Sequence, residues 1–273
     1  MSTDDPVKKA HDLENRVREK SLKKQIEDSN TPKDILLPEW PDSKRGTPNS
    51  FLRSALFSAT DCKKERISLK DTVLASQGGV VIRYTGEQLN QEDLTLWETL
   101  VHLAKKHPLG YVCEFTAYEI LKAMKLPTNG EQYERLDRGI DRLSNAVPKI
   151  IHDDKSFWGS LIASGAKDIK TQLYKIKLSD ELIKLYSEST WIDVDQRLRL
   201  KRKSLAQYLH GYYSSHKAPY PVKVETLHQL SGSRIKRLAK FKENLKAALD
   251  ELVKIDFLES YKIDNELVSV KRK

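Results

Sequence analysis

Residues 231–252 read SGSRIKRLAKFKENLKAALDEL. The Ser-Gly-Ser opening suits a helix N-terminus. Leu238, Leu245, Leu249 and Leu252 then recur at the spacing of a single helical face. The charges run against the usual order. Arg234, Lys236, Arg237 and Lys240 stand at the front and Asp250 and Glu251 near the back, whereas the helix dipole favours acids first and bases last by about 0.3–1 kcal/mol per charge. A polyanion in front of the helix would supply the missing negative partner.

The charge of the whole chain points the same way. Its 273 residues carry a net charge of +9. From Gln196 to Lys273 there are 18 Lys and Arg against 8 Asp and Glu, so the first 195 residues hold 30 against 31. A compact basic unit is the footprint of nucleic-acid binding. No apolar run approaches the roughly 20 residues that span a bilayer, so no membrane partner is expected. The N-terminus has no apolar signal core, so nothing directs secretion and a cytoplasmic protein is expected. Cys62 and Cys113 are too few for a disulfide framework or a cysteine zinc site and read as packing thiols.

Working outward from residues 231–252, "KSLAQYLHGYYSSH" predicts a helix with Leu205, Tyr208, Leu209 and Tyr212 inward. "PYPVKVETLHQLSG" gives a Pro-rich entry and a short second helix. The opening segment is the third helix, and "FLESYKIDNELVSVKR" closes the unit as a hairpin turning at Asp264-Asn265. The same order appears earlier in the chain. "RISLKDTVLAS" and "GGVVIRYTG" read as strands. Helices follow in "NQEDLTLWETLVHLAKKH", "FTAYEILKAMKL" and "NGEQYERLDRGIDRLSNAV", then strands in "KIIHDD", "SFWGSLIASG" and "TQLYKIKLS". Three helices followed by a strand hairpin is the winged-helix order. The expectation is therefore an α+β fold, mostly helical, of two tandem winged-helix domains with β-hairpin wings. Residues 1–34 read as a disordered or solvated tail and 35–53 as an extended Pro-rich segment. Residues 54–195 form the first domain and 196–273 the second, basic one.

In a helix-turn-helix the second helix enters the major groove with its N-terminal residues nearest the bases. This assigns Ser233, Arg234, Lys236, Arg237 and Lys240 to DNA contact. The first domain adds the row Arg135, Arg138 and Arg142, although Glu131, Glu134, Asp137 and Asp141 could pair with it instead, together with Lys167 and Lys170. The basic linker Arg197, Arg199, Lys201, Arg202 and Lys203 is placed to follow phosphates between two grooves. Tyr213 and His216 are candidates for a phosphate contact.

"LPEWPDSKRGTPNSFLRSALFSA", "YTGEQL", "FTAYEILKAM" and above all "YYSSHKAPYPVKVETLHQLSGS" resemble the TrfA-type plasmid replication initiators, in order, from about Leu36 to Lys273. The resemblance implies two winged-helix domains that bind direct repeats (iterons) in double-stranded origin DNA and open A·T-rich duplex. It also implies contact with the host initiator and replicative helicase, and a shift between monomer and dimer. Ser233 to Lys242 correspond to the recognition block, and Tyr213 to Pro221 to the start of the helix-turn-helix. The Gln-Leu-x-Leu-Phe-like segment with which longer members meet the sliding clamp is missing from this sequence.

No catalytic residue, cofactor or metal is expected. There is no G-x-x-x-x-G-K-[ST] cradle, and the seven histidines show no zinc spacing. Two alternatives stand beside the initiator. One is a transcriptional repressor that binds without melting; the other is a nicking initiator using Tyr212 or Tyr213 as nucleophile. Trp97, Trp158 and Trp191 are assigned to cores or an interdomain contact. Trp158 has the further option of stacking an unpaired base of single-stranded A·T-rich DNA.

Overall fold

The computed structural model describes residues 35–61, 64–152 and 155–273. The expected tail over 1–34 and the expected packing thiol Cys62 lie outside them. Helices and strands occur in similar amounts among the described residues, so the α+β mixture is present but helices do not dominate it.

Residues 35–53, expected to be extended ahead of a domain starting near Ser54, already contribute to the folded body. β1 (Lys44–Pro48) pairs antiparallel with β11 (Ser189–Asp193), and α1 (Asn49–Leu52) follows it. Leu37, Trp40, Phe51 and Leu52 are buried, and Trp40 stacks on Tyr186 at 5.9 Å. The short strand β2 (Phe57–Ser58) runs parallel to β5 (Leu89–Asn90).

A four-stranded antiparallel sheet joins β3 (Ser68–Leu74), β4 (Val80–Glu87), β7 (Val147–His152) and β8 (Lys155–Trp158) in that order. Alternation along each strand separates its two faces. Ile82, Tyr84, Ile150 and Phe157 are buried on one face. The register sets Val73, Arg83, Lys149 and Trp158 side by side on the other, which is open.

Two stretches of chain share one topology. The first runs α2 (Gln91–Ala104), β6 (Val112–Thr116), α3 (Ala117–Ala123) and α4 (Gly130–Asn145), then β9 (Ser164–Asp168) and β10 (Leu173–Lys177), with sheet order β6-β10-β9. After α5 (Val194–Arg199) the second runs α6 (Ser204–Ser214), β12 (Val222–Lys223), α7 (Val224–Leu230) and α8 (Leu238–Lys254). It closes with β13 (Leu258–Asp264) and β14 (Leu267–Arg272), in sheet order β12-β14-β13. In both, the last strand lies between the first strand and its own hairpin partner.

Local chemistry fixes the helix starts. Asn90 and Asp93 form a reciprocal capping box on α2, and Thr116 and Glu119 do the same on α3. In the second stretch Tyr208, Leu209 and Tyr212 share a core with Leu227, Phe241, Leu245 and Leu249, while Leu205 is only partly buried. The closing hairpin turns at Asn265-Glu266, one residue later than expected: Asp264 still pairs with Leu267, and both turn residues have positive φ, 45° and 64°.

Candidate nucleic-acid interface

The Ser-Gly-Ser of residues 231–233 closes α7 and does not open α8. Ser231 caps α7 and Gly232 follows at φ 59°. The Gly232 N–H donates to the Gln229 carbonyl at 3.0 Å and the Ser233 N–H to that of His228 at 3.4 Å. This is the paired bonding of a Schellman ending, which needs a left-handed residue after the cap. Ser233–Arg237 is therefore an irregular turn, and α8 begins at Leu238. Arg234, Lys236 and Arg237 stand ahead of the helix, with Lys240 alone of the four inside its first turn.

α8 has no side-chain N-cap and no acid in its first turn, so its first N–H groups lack the side-chain acceptor and the negative charge that usually offset a helix start. Leu238, expected on the buried stripe, is 38 % exposed; Phe241 fills the core position, with Leu245, Leu249 and Leu252 behind it. His228 supports the turn from below, its Nε2–H donating to the Ile235 carbonyl at 2.8 Å and its ring meeting Phe241 edge-on at 4.7 Å. Ser233 Oγ accepts the Ile235 N–H at 3.4 Å.

Arg234, Lys236, Arg237 and Lys240 are all exposed. Arg234 donates to the Glu65 carbonyl at 2.7 Å. Lys240 pairs with Glu243 at 2.7 Å, an exposed contact worth no more than about 1 kcal/mol and easily exchanged for a phosphate. At the hairpin tip, the acid Glu266 is paired with Lys242 of α8.

The arginine row of α4 divides. Arg142 bonds the Asp93 carboxylate at 2.9 Å, and Asp93 is 1 % exposed, so Arg142 serves the interior of the fold. Arg135 meets Glu92 at 2.9 Å and Glu131 at 3.8 Å. Arg138 is exposed and makes no side-chain hydrogen bond or ion pair among the described residues. Lys167 bonds Asp137 at 2.7 Å and lies over the Tyr174 ring; Lys170 is exposed in the β9–β10 turn.

The linker corrects the expectation in one place. Arg197 is not on the surface: it is 4 % exposed. It donates to Gln91 O at 3.0 Å and Thr95 Oγ1 at 3.0 Å, and lies 3.6 Å from Glu98, itself 1 % exposed. Its guanidinium also reaches Gln207 O in α6 at 3.4 Å. Glu98 accepts from Thr47 of β1 at 2.7 Å, and burial raises its carboxyl pKa against the pull of Arg197. One buried network thus ties β1, α2, α5 and α6. Arg197 lies 106 residues from Gln91 and 102 from Thr95, and Thr47 lies 51 from Glu98, so no spacing in the sequence announces the network. Arg199 is exposed and touches Ile255 O at 3.2 Å, Lys203 pairs with Glu251 at 2.5 Å, and Arg202 is exposed.

Tyr213 cannot make the phosphate contact expected of it, because its hydroxyl is fully buried and burial drives its pKa upward. Tyr212 is also buried, bonded to Gln77 at 2.8 Å and pushed up to about 12 by burial. Neither hydroxyl can reach a phosphodiester, which removes the geometry a nicking nucleophile needs. His216 is half-buried, with Nδ1–H donating to the Tyr212 carbonyl at 2.8 Å. Trp97 is buried as expected, but Trp158 is 69 % exposed and Trp191 is exposed too, so neither belongs to a core. No helix among the described residues is long and apolar enough to cross a membrane, and no group of three or more His, Cys, Asp or Glu among them could hold a metal ion.

The family model described as TrfA protein matches residues 2–272. The chain belongs to the TrfA family. It is 28 % identical over 242 residues to the plasmid replication initiator protein TrfA of Escherichia coli, covering 85 % of this chain and 63 % of that relative. The chain thus spans under two thirds of the length of the TrfA it matches. Among solved structures, domains 2 and 3 of RctB align over 82 % of this chain and 98 % of theirs, with TM-score 0.56 and 15 % identity. The Pi initiator protein in complex with iteron DNA aligns over 66 % of this chain and 91 % of that one, with TM-score 0.51 and 14 % identity. At those identities the two likenesses speak to the fold alone, which this TrfA-family chain shares with both.

Proposed function

We propose that this TrfA-family chain is a non-enzymatic, sequence-specific DNA-binding protein that initiates plasmid replication in the bacterial cytoplasm. It would read direct repeats at an origin through two tandem winged-helix domains, residues 54–195 and 196–273. The observation that carries this reading is the bare cationic front of α8. Arg234, Lys236, Arg237 and Lys240 are exposed around a helix end that lacks both cap and acid, which leaves the negative partner to a duplex. The shared sheet order of the two stretches supports the tandem arrangement.

In this reading Arg237 and Lys236 meet base edges and phosphates in the major groove. Arg138 and Lys170 contribute from the first domain, and Arg199, Arg202 and Lys203 follow the backbone between grooves. Gripping successive repeats bends the DNA, and easily unstacked A·T-rich steps give way first. Trp158, exposed beside Lys149 on the open sheet face, supports stacking on the freed strand. A Trp158→Ala protein with undiminished affinity for an unpaired thymidine strand would rule that part out. Family membership adds recruitment of the host initiator and helicase and a monomer–dimer shift to the proposal.

Incubation with supercoiled origin DNA tests the whole. Protection of direct repeats with permanganate-reactive thymines beside them supports initiation. Protection without reactivity makes the chain a repressor, and a covalent adduct makes it a nicking enzyme.

A further inference from the structure

The turn that carries the candidate reading residues is fastened to a segment far away in sequence. The Ala59 N–H donates to the Ser231 carbonyl at 2.7 Å. Arg234 Nη1 donates to the Glu65 carbonyl at 2.7 Å. A Cβ on Gly232 would lie 2.9 Å from Ser58 Cβ and 3.3 Å from Ala55 Cβ, so this contact is as close as backbone permits. The far side of the segment is anchored as firmly. Arg66 bonds the buried Asp93 at 2.6 Å and the Gln88 carbonyl at 2.7 Å, and the Gln88 N–H donates to Ile67 O at 2.9 Å. Lys64, between these two anchors, is exposed, and its side chain makes no hydrogen bond or ion pair among the described residues.

We propose that Lys64 is a DNA phosphate contact, held beside the recognition turn by the Arg234–Glu65 bond, and that Arg234 is a positioning residue before it is a reader. The proposal rests on the DNA-binding reading above and extends its interface to a segment of the first domain. A backbone carbonyl fixed on a guanidinium sets where the neighbouring residue stands, and an exposed ammonium next to a cationic turn adds a positive group within reach of the same polyanion. Lys64 has no place in a helix-turn-helix motif, so no motif pointed to it.

The test is the salt dependence of binding of the full chain to a repeat-bearing duplex and to a scrambled duplex of equal length. Each phosphate contact contributes about 0.9 to the log–log slope. Lys64→Ala should lower the slope by about that amount on both duplexes, leaving the preference between them unchanged. In an Arg234→Ala background, where the Arg234–Glu65 bond is lost, adding Lys64→Ala should lower the slope by clearly less than it does in wild type. An unchanged slope in Lys64→Ala overturns the contact while wild-type preference for the repeat keeps the DNA-binding reading alive. Full additivity of the two substitutions overturns the pinning role of Arg234. A wild-type protein without preference for the repeat overturns the initiator reading, and a slope drop in Lys64→Ala still supports the phosphate contact.

Discussion

Replacing Arg197 with Met removes the centre of the buried network while keeping most of its volume. Gln91 O, Thr95 Oγ1 and Gln207 O each lose a donor, and Glu98 is left 1 % exposed with Thr47 as its hydrogen-bond donor and Arg45 nearby. Breaking a buried pair from one side costs about 3–5 kcal/mol, because the surviving charge stays desolvated. Thr47 and Arg45 soften that loss, so we expect about 3 kcal/mol. Urea unfolding of the full chain at neutral pH measures it. Glu98→Met together with Arg197→Met should recover about 2 kcal/mol, since the buried unpaired carboxylate is then gone. Acid provides an independent check. The Glu98 carboxyl is already raised by burial, and losing Arg197 raises it further. The folded variant then holds a proton that its unfolded chain has released, so falling pH favours folding. The gap to wild type should narrow as pH falls toward the ordinary carboxyl value. An Arg197→Met protein within about 1 kcal/mol of wild type, or a gap that ignores pH, would refute the structural role of the network.

Two arginines one helical turn apart on α4 should behave in opposite ways. Arg142→Ala should lose about 1–3 kcal/mol of stability, since Asp93 keeps Arg66 and the Asn90 N–H, with no change in the salt slope of DNA binding. Arg138→Ala should leave stability unchanged and lower that slope; the same two assays check both. Fully buried His210 has its pKa pushed down to about 3 by burial and by nearby Arg197. Below its usual value of 6.5 the unfolded chain binds a proton that the folded one refuses. Stability should therefore fall with acid, by up to about 1.4 kcal/mol per pH unit, and His210→Gln should flatten that slope in urea titrations.

Much of the fold was legible because its signals are local. The Thr116 cap of α3 and the Leu94, Trp97, Leu100, Val101 stripe of α2 depend on neighbours three or four residues away. The start of α8 was misread because Gly232 serves the helix before it, and a glycine between two serines fits either a start or a stop. The leucine spacing misled in the same place, since Leu238 keeps the period but stands at the exposed helix end. Of the candidate site, the exposure of the four front cations followed from patterning alone. What failed depended on distant partners. Arg142 is taken by Asp93, Arg197 by Glu98 and Gln91, and Tyr213 by the core of its own unit, none of which sequence spacing encodes.

The measurement that tests the account most directly is the affinity of Arg237→Ala for the direct repeat and for a scrambled duplex at fixed salt. The account predicts a loss of about 1–3 kcal/mol on the repeat and little change on the scrambled DNA. Equal affinity of variant and wild type for the repeat would contradict it.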